Sequence, residues 1–229
     1  MLQVFVGMDQ RQPVAFTVLQ TSIMARCSSP VAVTALLIDH LPIKRRGLTE
    51  FTFTRYLVPF LMGYKGRALF MDADMLCLGD LNELFGLADD KYAVQVVKND
   101  LRFEWPSLML FNCERCAELT PEFIETESPH NLNWGPVGDL PREWNRAVGY
   151  EDCSDAKILH YTMGIPAFPE TQVFGGVEEW KESLRAACAT VSWADLMGNS
   201  VHAEAVRKAN EAVASHNVVK ADDPSPAVA

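Results

Sequence analysis

GRALFMDADMLCLGDLNELF, residues 66–85, is the stretch from which the fold can be read. Ala68 to Met71 is an uninterrupted apolar run, the pattern of a strand buried on both faces. It leads directly into Asp72-Ala73-Asp74, so two carboxylates emerge together where the strand ends. In open α/β sheets, ligands bind outside that carboxyl edge. If the extended conformation persists, the i, i+2 spacing places both side chains on one side, where they can share a hard cation such as Mg²⁺ or Mn²⁺. Such a cation would bridge diphosphate oxygens. The spacing equally allows Asp72 to cap a turn while Asp74 is solvated. Context favours the metal: carboxylates set straight after a buried apolar run are costly unless a cation or donors compensate them.

Outward from this strand, strands and helices alternate. Leu2 to Gly7 is a short apolar strand followed by Asp9, and Pro13 to Arg26 reads as a helix. Val31 to Ile38 is a second strand, and Phe51 to Gly63 carries apolar residues at helical spacing and stops at a glycine. Beyond Asp74 the pattern predicts a short helix over Leu81 to Phe85 and strands over Tyr92 to Val97, Leu108 to Phe111 and Lys157 to Tyr161. The proline-rich, polar stretch from Thr120 to Tyr150 predicts loops and short helices, a usual place for acceptor recognition. Val177 to Val191 and Trp193 to Ser215 read as helices, and the ending KADDPSPAVA has the composition of a disordered tail. This order indicates an α/β fold with a Rossmann-like, mixed but mainly parallel sheet flanked by helices.

Composition narrows the function. The 229 residues are 48% hydrophobic, enough for one large core. A net charge of -10 has the wrong sign for an extended phosphate backbone, so nucleic acid is not expected as a partner. A phosphorylated small molecule is still compatible, because one metal ion and a few local Lys or Arg override the global field. The opening MLQVFVGMDQ lacks the basic and apolar regions of a signal peptide, and no apolar run is long enough for a transmembrane segment. A cytoplasmic protein is expected. The six cysteines have no repeating spacing, which predicts free thiols, and Cys113-x-x-Cys116 has no second pair to complete a zinc site.

Two further residues are candidates on position. His160 closes the strand Ile158-Leu159-His160-Tyr161 and is either a hydrogen-bonded structural imidazole or a third metal ligand, one that would favour Mn²⁺ over Mg²⁺. Arg55, in FTFTRYLVPF, is either a surface charge or a guanidinium reaching a donor phosphate.

The run from Phe51 to Phe85 resembles the signature region of GT-A fold glycosyltransferases of the glycosyltransferase family 8 type, which includes glycogenin and bacterial galactosyltransferases. The matching features are Arg55 on a helix, the D-x-D at Asp72 and Asp74, Asp80, and a short helix ending in Leu84-Phe85. Ser107 to Asn112 is similar to the family's "GVMLFN" strand, Leu140-Pro141 with Trp144-Asn145 to its acceptor-side segment, and His160-Tyr161-x-x-Gly164 to its metal-binding His motif.

The resemblance covers roughly residues 2 to 168 and implies a GT-A catalytic domain, taken as residues 1–175; the helical pattern adds an extension of that domain over 176–215, and composition a disordered tail over 216–229. It implies transfer of a sugar, with retention of configuration, from a nucleotide-sugar donor, UDP-linked, to a saccharide or other hydroxyl acceptor. Asp72, Asp74 and His160 would hold Mn²⁺ or Mg²⁺. Phe5, Val6, Gly7 and Asp9 would hold uracil and ribose, and Arg55, Ala73, Asn112 and Gly164 would face the donor. A homodimer is left open. The chain departs from the pattern in two places. The family's His motif continues to a diphosphate-binding Lys, but no Lys follows here before Lys181, so either Lys65 or Arg67 contacts the diphosphate in its place or both are surface charges. The Asp-Gln-Asp cluster is also missing, leaving Asp139 and Asn133 as candidates near the anomeric carbon. The rival functions are a nucleotidyltransferase, for which Gly7 to Arg11 is poor in glycine, and a non-catalytic nucleotide-sugar-binding protein.

Overall fold

A computed structural model describes residues 1–189 together with Leu196, Met197, Glu204 and Lys208. Its framework is a six-stranded sheet in the order β2-β1-β3-β6-β5-β7. These strands are β1 (Leu2–Gly7), β2 (Val31–Leu36), β3 (Arg67–Asp72), β5 (Val94–Val96), β6 (Leu108–Asn112) and β7 (Val137–Asp139). β1 is parallel to β2 and β3, β5 is parallel to β7, and β6 runs antiparallel between β3 and β5. The sheet is therefore mixed and mainly parallel, as expected.

β3 is central because both its faces are covered. Ala68 and Phe70 pack on one side with Tyr56, Leu57 and Phe111, while Leu69 and Met71 pack on the other with Leu19, Ile23 and Trp144. That accounts for the unbroken apolar run. Helix α1 (Pro13–Arg26) supplies Leu19 and Ile23, and opens with a proline, whose missing N–H is harmless in a first turn. The side chain of Ser22 in α1 accepts a 3.0 Å hydrogen bond from the Cys77 amide, tying the helix to β4 (Met75–Cys77).

A second, three-stranded sheet carries the site's remaining parts. β9 (Ile158–His160) lies between β4, antiparallel, and β8 (Arg146–Ala147), parallel. The sequence pattern predicted β9 but neither β4 nor β8, which are three and two residues long and give no readable periodicity. The predicted helix from Phe51 to Gly63 is also shorter than expected. Only Val58–Leu61 is α-helical (α2), preceded by a 3-10 turn over Thr54–Leu57. Pro59 has no N–H to give to the Arg55 carbonyl, so α-helical bonding cannot extend back through it. The expected stop at Gly63 is present, at φ +59°.

α3 (Leu81–Gly86) is capped by the Asp80 side chain, which accepts from the Asn82 amide. The stretch from Thr120 to Tyr150 holds α4 (Pro121–Thr126) and short 3-10 turns along with β7 and β8. α5 (Pro169–Gln172) leads to α6 (Val177–Ala187), whose Trp180 packs against Val14 and Val18 of α1. Apart from Leu196, Met197, Glu204 and Lys208, the predicted helix over 193–215 and the tail over 216–229 lie outside the described residues. All six cysteines are free; Cys113 and Cys116 are buried, and burial pushes the Cys113 thiol up to about 12, as fits a structural thiol.

Candidate active site

β1 and β3 end together, with Gly7 opposite Asp72, so both strands deliver their last residues to one edge of the sheet. The chain does not stay extended past Asp72. It turns at Ala73 and Asp74 and enters β4, where Met75 pairs with His160 of β9. The Tyr161 amide donates a 2.8 Å hydrogen bond to the Asp74 carbonyl. The backbone thus sets Asp74 beside His160, and the turn brings the two carboxylates together. One ligand atom from each of Asp72, Asp74 and His160 lies within 4.8 Å of the others.

Asp72 and His160 are largely withdrawn from water, at 7% and 2% exposed, while Asp74 is partly open to it. Arg55 is buried against Asp72, with Nη2 3.0 Å from Oδ1 and a 3.3 Å hydrogen bond to Oδ2. Its guanidinium carbon lies 5.1 Å from the centroid of the Phe70 ring, and Nε donates to the Phe51 carbonyl at 3.4 Å. Arg55 is accordingly the partner of Asp72 rather than a free donor-facing cation. His160 Nε2 is 3.5 Å from Asp74 Oδ1, and Nδ1 is 3.5 Å from Glu104 Oε2.

The fit to a divalent metal can be judged from unsatisfied atoms. Asp72 Oδ1 and Asp74 Oδ1 are buried and make no hydrogen bond. Such groups are expensive to leave bare, and two carboxylates with an imidazole suit a divalent cation. Three carboxylates here (Asp72, Asp74, Glu104) face one guanidinium, and a divalent ion would balance the remainder. The residues fit the group.

Burial, aided by the Asp74 charge, pushes Asp72 up to about 7 against the pull of Arg55. Burial disfavours the His160 imidazolium, but Asp74, Asp72 and Glu104 together raise it. Without metal, Asp72 holds its proton in the folded state while the unfolded residue ionises near 3.8, so its contribution to stability falls as pH rises from about 4 to about 7. The His160 contribution, present below 6.5, is lost as pH rises through its raised value. A metal requires the deprotonated forms. The gap between melting temperatures in Mn²⁺ and in EDTA should therefore widen from about pH 6 to about pH 8. A gap that is constant or shrinks over that range would contradict the ligand assignment.

A cavity of about 200 Å³ borders the cluster, lined by Asp9, Arg11, Gln12, Phe51, Ala73 and Asp74 among others. A second, of about 170 Å³, shares Asp9 and Arg11 and reaches Ile38 and Arg46. Asp9 and Ala73 are thus brought to the cluster, as is Gly7, where an added Cβ would overlap Phe51. Phe5 and Val6 are buried in opposite faces of the sheet, so their side chains are core. Gly164, at φ +104°, forms a turn after His160 and lines a separate small cavity with Gln12 and Phe168.

Other expected residues are not brought here. Arg67 begins β3, five residues before Asp72 and about 17 Å away at a strand's rise. Its Nη2 pairs with Asp90 at 2.5 Å. Lys65 precedes it, and Asn112 pairs with Arg67 in register. These three sit at the opposite edge of the sheet, which overturns the expectation that Lys65 or Arg67 contacts the diphosphate and that Asn112 faces the donor. Asp139 ends β7 on the metal side but three strand positions from β3, about 14 Å, and accepts the Lys98 amide at 2.9 Å. Asn133 lines a polar cavity of about 470 Å³ with Glu118, Phe123 and Trp134. Trp134 stacks on Phe111, which pairs with Ala68, so this larger cavity belongs to the far edge.

Arg11 and Glu104 are the residues the sequence reading missed. Arg11 could have been found, since it follows β1 as Asp74 follows β3.

The described fold, with its acidic cluster at the carboxyl edge of the sheet, is of GT-A type, and the family match makes the protein a glycosyltransferase. The chain belongs to glycosyl transferase family 8, whose pattern matches residues 20–135. It is 33% identical over 207 residues to Protein CDI of Arabidopsis thaliana, covering 72% of this chain and 79% of that protein. It is also 32% identical over 173 residues to Glycosyltransferase GlyB of Streptococcus pneumoniae, covering 62% of this chain but only 40% of GlyB. Among solved structures, the galactosyltransferase LgtC in complex with donor and acceptor sugar analogs superposes with TM-score 0.60 at 11% identity, over 81% of this chain and 96% of LgtC. Among the described residues, no helix is long and apolar enough to cross a membrane.

Proposed function

We propose that this chain transfers a sugar from a nucleotide-sugar donor, UDP-linked, to a hydroxyl acceptor, with Mn²⁺ or Mg²⁺ held by Asp72, Asp74 and His160. The observation that carries the reading is the convergence of those three side chains beside a cavity whose wall also includes Asp9 and Arg11. When bound, the ion supplies Lewis-acid stabilisation of the departing diphosphate. Arg55 pairs with Asp72 and orients it. Arg11, the basic side chain on the wall of the cavity that contains Asp74, takes the place of the missing Lys beside the diphosphate. It is now paired with Asp9 through a 2.7 Å contact, and it would exchange part of that pairing for phosphate. Asp9 and the end of β1 flank the nucleoside.

The family resemblance supports retention of configuration. A retaining route through a carboxylate nucleophile needs two carboxyl groups about 5 Å apart around the sugar, one of them acting as acid. No residue here is assigned to such a pair, and we favour transfer in which the departing phosphate oxygen takes the acceptor's proton. Calorimetric titration of UDP, GDP and CMP in Mn²⁺ tests the donor. UDP should bind at least tenfold more tightly, about 1.4 kcal/mol, whereas tighter binding of GDP or CMP would overturn the uracil assignment.

A further inference from the structure

We propose that Glu104 is a positioning residue for His160, the outer carboxylate of a carboxylate–imidazole–metal chain; this rests on the metal reading above. The imidazole has an acid at each edge: Asp74 Oδ1 is 3.5 Å from Nε2, and Glu104 Oε2 is 3.5 Å from Nδ1. The two ring nitrogens point away from each other, so Glu104 lies on the side opposite Asp74 and is not one of the three converging ligands. His160 Nδ1 is buried and makes no hydrogen bond. Closing the 3.5 Å gap to hydrogen-bond distance takes a shift of about half an ångström.

The consequence is chemical. A neutral imidazole has one proton for two nitrogens, and only the bare nitrogen can ligate. With Glu104 accepting from Nδ1, the proton is fixed there and the Nε2 lone pair is presented to the Asp72 and Asp74 side. Glu104 also raises the basicity of the ligand and stops the ring turning.

The segment bearing Glu104 is fastened at both ends by buried groups. Asn99 Oδ1 accepts the Leu101 amide at 3.0 Å, and the Asn99 carbonyl accepts Trp105 Nε1 at 3.0 Å. At the other end, Asn145 Nδ2 donates to Ser107 Oγ at 2.9 Å. Asn99, Ser107 and Asn145 are 8%, 1% and 1% exposed, so the carboxylate is delivered to His160 by a fixed stretch of chain rather than by a loose loop. The Glu104 side chain itself is only 13% exposed, a costly place for an acid with no partner.

The test titrates Mn²⁺ into the full chain for wild type, Glu104→Ala and the near-isosteric Glu104→Gln. Affinity should fall about 10- to 100-fold for Glu104→Ala, with Glu104→Gln, which keeps an acceptor but not the charge, between the two. A second readout separates positioning from mere support: ¹⁵N spectra of the histidines in Mg²⁺-loaded protein. His160 should be protonated at Nδ1 in wild type and lose that preference in Glu104→Ala. If wild type binds Mn²⁺ and Glu104→Ala binds it within about twofold, the Glu104 assignment alone fails. Should affinity drop with the His160 tautomer unchanged, Glu104 acts by charge and the positioning role is overturned. Failure of wild type to bind Mn²⁺ at all would bring down the metal reading and this assignment with it.

Discussion

Arg55→Ala should destabilise the metal-free protein by about 3 to 5 kcal/mol above neutral pH, the largest stability loss expected from any single change at the site. The guanidinium sits 3.0 Å from Asp72 Oδ1, both side chains are 10% exposed, and truncation leaves the carboxylate buried without its cation. For a chain of this length that loss lowers the melting temperature by roughly 10 °C. It should shrink in acid. Asp72, already pushed up to about 7 by burial, takes a proton more readily when Arg55 is gone, and a neutral carboxyl needs no cation. Melting curves of wild type and variant in EDTA at about pH 5 and about pH 8 check both statements. Equal losses at the two pH values would mean that Arg55 acts through its packing on Phe70 and Phe51 rather than through charge.

Asp74→Asn should lower sugar transfer about a thousandfold, corresponding to roughly 4 kcal/mol of transition-state stabilisation. Asp74 is placed by the Tyr161 amide and by the pairing of Met75 with His160, not by its own side-chain bonds, so the amide should fold in the same place. The variant should therefore keep its melting temperature in EDTA within about 2 °C and lose the rise that Mn²⁺ gives the wild type. The contrast with Arg55→Ala is informative: one substitution removes stability, the other removes metal. An Asp74→Asn protein that retains metal-dependent transfer would show that the ion is held elsewhere.

The central strand was legible because both faces of β3 are buried, which leaves an unbroken apolar run from Ala68 to Met71 with charge immediately after it. The D-x-D and His160 were legible as residue types at strand ends. Their approach was not: it depends on β4 pairing with β9, and three-residue strands leave no periodic trace in a sequence. Direction along a strand decided the cation. Lys65 and Arg67 are close to Asp72 in sequence, but a strand separates neighbours by its full length, whereas Arg11 arrives at the same edge from β1. Glu104 had no signal in KNDLRFEWP, since a 3-10 segment pinned by Asn99 and Asn145 is specified by contacts distant in the chain. Asp139 shows the converse, the right residue type on the right edge with three strand positions between it and β3.

The most direct test of the account is release of UDP from a panel of UDP-sugars by wild type and Asp74→Asn, in Mn²⁺ and in EDTA. Wild type should release UDP from at least one donor in Mn²⁺, with EDTA or Asp74→Asn removing that activity. Release that is unchanged by EDTA and by the substitution would contradict a metal-dependent transferase built on Asp72, Asp74 and His160.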